Sequence, residues 1–88
     1  GQLVPGGIAA QTRQTLENIR NILEAAGCGL EDVVSSTVYL VNMADFAAMN
    51  EVYGEFFPQD PPARTTVGVA SLPMGAAVEI TCIAVLKG

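Results

Sequence analysis

Apolar side chains recur along the chain in two rhythms. Over residues 8–26, Ile8, Leu16, Ile19, Ile22, Leu23 and Ala26 keep a helical period, while Arg13, Gln14, Glu17, Asn18, Arg20, Asn21 and Glu24 fill the opposite face. Gly27 follows as a left-handed C-terminal cap. The run Val33-Val34-Ser35-Ser36-Thr37-Val38-Tyr39-Leu40-Val41 is rich in β-branched residues and carries apolar side chains in both alternating sets. That predicts a central strand. The helical rhythm then returns, with Phe46, Met49, Val52, Tyr53, Phe56 and Phe57 on one stripe. Residues 42–45 supply capping oxygens before this helix and Pro58 stops it. The loop Pro58-Gln59-Asp60-Pro61-Pro62 delivers the chain to a strand over 64–70, Leu72-Pro73-Met74-Gly75 makes a turn, and a last strand runs over 77–86.

The order is therefore α-β-α-β-β. Strand 33–41, helix 45–57 and strand 64–70 form a β-α-β unit expected to cross over right-handed, and the final two strands read as a hairpin. We expect an α+β domain over residues 1–88 with both helices on one sheet face. Its core is limited, because so short a chain has much surface for its volume. Yet half of the residues (50%) are apolar and only 15% are charged, so the chain is globular and not disordered. The second sheet face looks too apolar for water, which predicts that another subunit covers it.

Charge narrows the partners. A formal net charge of −5 without a basic cluster argues against nucleic acid and anionic membranes. The chain has no histidine, which removes the usual acid–base group and the commonest metal ligand. Cys28 and Cys82 lack a paired spacing and read as reduced, buried thiols, which suits the cytoplasm. No apolar stretch approaches the roughly 20 residues that span a bilayer, and the opening Gly1-Gln2-Leu3-Val4-Pro5-Gly6-Gly7 reads as a turn and not a signal peptide.

Two charges stand out because they interrupt apolar strands. Arg64 opens a strand after Pro61-Pro62-Ala63, and Glu79 sits inside Val78-Glu79-Ile80-Thr81-Cys82-Ile83. A charge there is costly unless it is paired, solvated in a cleft or used. They could form an ion pair between adjacent strands, or line one pocket. In the second case the planar fork of Arg64 holds a carboxylate, and Glu79, among apolar neighbours, has a raised pKa and handles a proton or a water. Thr65, Thr66 and the backbone of Thr66 could bond a small polar ligand, although threonine also simply favours strands. Asn50 interrupts the second helix, either toward a cleft or toward solvent. Ser35 and Ser36 have no histidine or lysine to activate them, which argues against a nucleophile. Glu31, Asp32, Glu51 and Glu55 read as solvated charges.

These residues resemble a known family. Pro62-Ala63-Arg64, Val67, Ala70-Ser71-Leu72-Pro73, Gly75, Val78-Glu79-Ile80 and Ile83-Ala84-Val85 are similar to the C-terminal signature of the RidA/YjgF/UK114 family, and the helices and central strand match along essentially the whole chain. The resemblance implies a chorismate-mutase-like α+β fold, a homotrimer, and ligand clefts between subunits. It also implies hydrolysis, with no metal or cofactor, of reactive enamine and 2-imino acids, derived for example from 2-aminoacrylate, to 2-keto acids and ammonia, which agrees with the missing histidines. By position, Arg64 matches the arginine that clamps the substrate carboxylate and Glu79 the glutamate that positions the attacking water. Thr66 matches a main-chain contact to the ligand, and Asn50 a position near the cleft. Thr65 is bulkier than the residue usual after that arginine, and Thr81 replaces a frequent second acid. Family members also carry two further strands ahead of the position of Gly1, which supply a tyrosine and a serine to the cleft. The expected compartment is the cytoplasm, or the mitochondrial matrix if a targeting segment has been removed. Two other readings stay open: a non-catalytic or regulatory trimer that binds small keto or imino acids, and an endoribonuclease, which the acidic charge disfavours.

Overall fold

The computed structural model describes residues 7–86, so the turn expected at the start of the chain and Lys87 lie outside the described residues. Helix α1 spans Gly7–Ala25. Its buried stripe is Ile8, Thr12, Leu16, Ile19 and Leu23, with Thr12 and Leu16 fully enclosed. Ile22, expected on this face, is 69% exposed. At about 100° per residue it falls well round the helix from Leu16, whereas Thr12 lies in line with it. Gly27 takes φ +86° as expected. The amide of Cys28 then donates to the Leu23 carbonyl at 2.8 Å and that of Gly27 to the Glu24 carbonyl at 3.1 Å, closing the helix end.

Strand β1 (Val33–Leu40), helix α2 (Phe46–Phe56), strand β2 (Ala63–Gly68) and strand β3 (Val78–Ala84) complete the chain's main elements. The sheet has three strands in the order β2-β1-β3. β1 is central, as its two apolar sets predict, and pairs parallel with β2 across the β-α-β unit. β3 pairs antiparallel with β1 and not with β2. The expected hairpin is therefore wrong. Residues 69–77 are too long for a hairpin loop of about two to five residues. They carry the chain over the end of β1, tied by Val69 N–H to the Leu40 carbonyl at 2.8 Å and Val41 N–H to the Ala77 carbonyl at 3.3 Å.

Both helices cover one sheet face. Leu16 of α1, Met49 and Tyr53 of α2, Val38 and Leu40 of β1 and Val78 and Ile80 of β3 form the core. Gln11 ties α1 to the start of β3 by accepting the Ala77 amide at 2.9 Å. Arg13 joins the helices through Glu55 at 2.9 Å, so Glu55 is not merely solvated. Asp32 is buried, and its Oδ2 accepts the Gly29 amide at 2.9 Å in the turn leading to β1. It too departs from the solvated reading.

The other face also departs from expectation. Ser35, Thr37 and Tyr39 of β1, Thr65 and Val67 of β2, and Glu79, Thr81 and Ile83 of β3 alternate away from the helices. Hydroxyl-bearing residues dominate it, so this face is mixed and not simply apolar. Larger apolar side chains left exposed include Val34, Val41, Ile83 and Val85, toward the strand ends. Among the described residues, no helix is long and apolar enough to cross a membrane.

Candidate functional site

Arg64 is held where β2 passes beneath α2. Its strand position pairs with Ser36 of β1, so both side chains lie on the helix-covered face. Along α2, Phe46, Asn50 and Tyr53 follow one another at helical spacing and meet the guanidinium from above. Nη1 of Arg64 donates to Asn50 Oδ1 at 2.5 Å. The guanidinium carbon lies 4.8 Å from the Tyr53 ring centroid and 5.4 Å from that of Phe46. Both distances suit attraction between a cation and an aromatic face. Among the described residues, no carboxylate forms an ion pair with Arg64; the ion pair present is Arg13–Glu55.

Arg64 opens onto a cleft of about 360 Å³ lined by Asn50, Tyr53, Gly54, Phe57, Pro61, Pro62 and Arg64. The prolines that stiffen the approach to β2 form one wall and α2 the other. Behind the cleft, the Tyr53 hydroxyl shares a 2.6 Å hydrogen bond with the Ser36 hydroxyl. Both residues are buried, at 4% exposure each. Burial pushes the Tyr53 hydroxyl above its ordinary value, while the Ser36 bond and nearby Arg64 pull more weakly the other way. Cys82, in register with Ser36 on β3, also has its thiol pushed up by burial. Tyr53 and Cys82 are therefore protonated at neutral pH, and among the described residues no carboxylate lines the cleft. Both cysteines are free and half-buried, where full burial was expected.

Of the expected site residues, Arg64 and Asn50 come together. Glu79 does not join them. It is exposed on the opposite sheet face, in register with Tyr39, and β1 separates its strand from that of Arg64. Neither an ion pair on adjacent strands nor a shared pocket within one chain is formed. The expected apolar surroundings of Glu79 are absent too, because alternation turns it away from Val78 and Ile80 toward the open face. Thr66 is half-buried on the same face as Arg64, opposite Val38, and does not line the cleft. Thr65 points to the open face.

Tyr53 and Ser36 were missed as site elements. Tyr53 was legible only as part of an apolar stripe, and Ser36 only as an unactivated serine. The available signal was the helical spacing of Phe46, Asn50 and Tyr53 combined with the strand that carries Arg64. A larger hollow of about 520 Å³ lies between the ends of the two helices, where Arg20 rides 5.5 Å from the Phe56 ring centroid. It contains none of the expected site residues. Among the described residues, no group of three or more His, Cys, Asp or Glu side chains is placed to hold a metal ion.

A two-helix, three-stranded α+β fold with an arginine at a small cleft defines a class that comparison with known proteins makes specific. The family model described as endoribonuclease L-PSP matches residues 1–86. A RutC family protein of Pyrococcus horikoshii is 56% identical over 84 residues, covering 96% of this chain and 67% of its own. The 2-iminobutanoate/2-iminopropanoate deaminase of Bos taurus is 51% identical over 85 residues, covering 97% of this chain and 62% of its own. The crystal structure of E. coli TdcF with bound serine superposes with a TM-score of 0.91 at 39% identity, over 96% of this chain and 68% of that one. The chain belongs to the RidA/YjgF family, and it spans about two thirds of the length of these relatives.

Proposed function

We propose that the protein hydrolyses small 2-imino acids and their enamine tautomers to 2-keto acids and ammonia, the chemistry in the names of its deaminase relatives. The observation that carries this reading is Arg64: a half-buried guanidinium, set against two aromatic rings and Asn50, facing a small cleft with no carboxylate partner among the described residues. Its remaining N–H donors match the fork of a substrate carboxylate. A relative captured with serine, itself a small amino acid with a carboxylate, fits the same chemistry.

In the proposed reaction Arg64 binds and orients the carboxylate. Glu79 takes a proton from water as the water oxygen bonds to the imine carbon. The carbon–nitrogen double bond opens onto nitrogen, which takes a proton from solvent, giving a carbinolamine. Glu79 then returns its proton to that nitrogen, the carbon–nitrogen bond breaks as the hydroxyl proton leaves to solvent and the carbon–oxygen double bond forms, and 2-keto acid and ammonia leave. Arg64 and Glu79 occupy opposite sheet faces, so one ligand reaches both only if a second copy supplies its Glu79. That favours an assembly with clefts between subunits, for which the family resemblance implies a homotrimer. Thr66 contributes its main chain and Asn50 orients Arg64. The cytoplasmic location belongs to the same proposal.

An assay that couples a pyridoxal-phosphate dehydratase to this protein reads the loss of the imine. Arg64→Ala is expected to abolish the acceleration; an Arg64→Ala protein as active as the parent would contradict the assignment. A second reading rests on the same separation of charges: a chain that does not assemble binds keto or imino acids without turnover. Calorimetric binding of 2-ketobutyrate with no imine hydrolysis would favour it. The endoribonuclease reading finds no support in a basic cluster: among the described residues Arg13 is paired with Glu55, and Arg20 lies on the Phe56 ring, away from the Arg64 cleft.

A further inference from the structure

We infer that Tyr53 is the positioning residue for Arg64, its ring backing the guanidinium and its hydroxyl locked by Ser36; this rests on Arg64 being the carboxylate clamp. An arginine on a strand has many rotamers, and a clamp that must be ordered on each binding event loses affinity. Here three contacts remove that freedom. Asn50 takes one donor, Phe46 lies at one side, and the Tyr53 ring is the nearer aromatic face at 4.8 Å.

The ring is itself fixed. Tyr53 is 4% exposed, its neighbour Phe57 lies 4.7 Å away between ring centroids, and its hydroxyl meets Ser36 at 2.6 Å. Ser36 stands on β1 in register with Arg64 on β2. One pair of neighbouring strand positions therefore supplies both the guanidinium and the group that anchors the ring behind it. A phenylalanine would satisfy the core as well as tyrosine does. The hydroxyl is used by a partner that only the site side of the sheet offers. Because Tyr53 stays neutral, it backs the cation without competing with a bound carboxylate.

The test compares 2-ketobutyrate with its uncharged analogue 2-oxobutanamide by calorimetry, in the parent protein and in Tyr53→Phe, Tyr53→Leu and Arg64→Ala. Tyr53→Leu is expected to weaken 2-ketobutyrate about tenfold, the scale of a desolvated cation–aromatic contact. Tyr53→Phe is expected to weaken it about threefold through loss of the anchoring bond. Both are expected to weaken 2-oxobutanamide less, because it lacks the carboxylate that the positioned guanidinium grips. In the imine assay the Tyr53 variants are expected to raise KM more than they lower kcat. Thermal unfolding of each variant confirms that it folds. If Tyr53→Leu binds 2-ketobutyrate like the parent, or weakens both ligands equally, Tyr53 does not position the clamp. If Tyr53→Phe matches the parent, the Ser36 lock is refuted. Arg64→Ala separates the premise: preserved preference for the carboxylate there would overturn the clamp itself, while lost preference there with unaffected Tyr53 variants overturns only the role of Tyr53.

Discussion

The two faces of the sheet are built from alternate residues of the same strands, yet they hold their charges in opposite ways. On the helix-covered face, Arg64 is half-buried, backed by rings and bonded to Asn50. On the open face, Glu79 stands exposed beside Tyr39 and Thr81. The difference comes from what each face can supply. Helix α2 brings side chains at fixed spacing above Arg64, whereas among the described residues no element covers Glu79. A positioned cation is thus a product of the single fold. In the proposed reaction a second copy brings Glu79 to the ligand.

The largest expected difference between the faces is in stability. Leu40→Ala, on the covered face, is expected to cost about 2–5 kcal/mol, because the cavity it leaves among rigid neighbours cannot fully collapse. Thr37→Ala, on the open face of the same strand, is expected to stay within about 0.5 kcal/mol at concentrations where the chain is monomeric. Denaturant unfolding measures both, and equal costs would break the comparison.

Next comes a division of labour at the site. Arg64→Ala is expected to weaken 2-ketobutyrate by about ten- to a hundredfold, the scale of losing charge-assisted hydrogen bonds. Glu79→Gln is expected to leave that affinity near the parent value while slowing imine hydrolysis at least about a hundredfold, as loss of a general base does. Calorimetry and the coupled assay separate these effects. A Glu79→Gln protein that turns over normally would leave the open face without a catalytic role.

The pH dependence is subtler. The folded-state pKa of Tyr53 is raised, chiefly by burial, so its contribution to stability is complete below its unfolded value near 10. That contribution is lost as pH rises through the folded value. Tyr53→Phe should therefore flatten the alkaline decline in melting temperature. The smallest effect is expected at the helix surface. Arg13 lowers the pKa of Glu55 by a hydrogen bond, so this pair stabilises the fold above the usual carboxylate value and ceases to as pH falls through the lowered one. Both side chains are about half exposed, so Glu55→Gln should change the acid limb only slightly, and less still in high salt.

Much of this organisation was legible in the chain. Helical period and cap residues placed α1 and α2 to within a residue or so, and apolar residues in both sets of β1 marked it as central. The partner of β3 was not legible. Adjacent strands in sequence suggest a hairpin, and only the length of residues 69–77 argued otherwise. The error propagated to the site, because adjacent strands would have brought Arg64 and Glu79 together. Period two held the correction: with β1 between them and their register fixed, the two charges must face opposite ways. Asn50 could be read as facing a cleft because it broke an apolar stripe. Tyr53 could not, because a buried aromatic at helical spacing looks the same whether it fills a core or backs a cation.

A crystal structure of the protein grown with 2-ketobutyrate tests the central claim most directly. The account predicts the ligand carboxylate on the Arg64 guanidinium, over the Tyr53 ring, with Glu79 of a second copy approaching the keto carbon. A ligand bound away from Arg64, or an Arg64 guanidinium turned from Tyr53 and Asn50 into solvent, would contradict it.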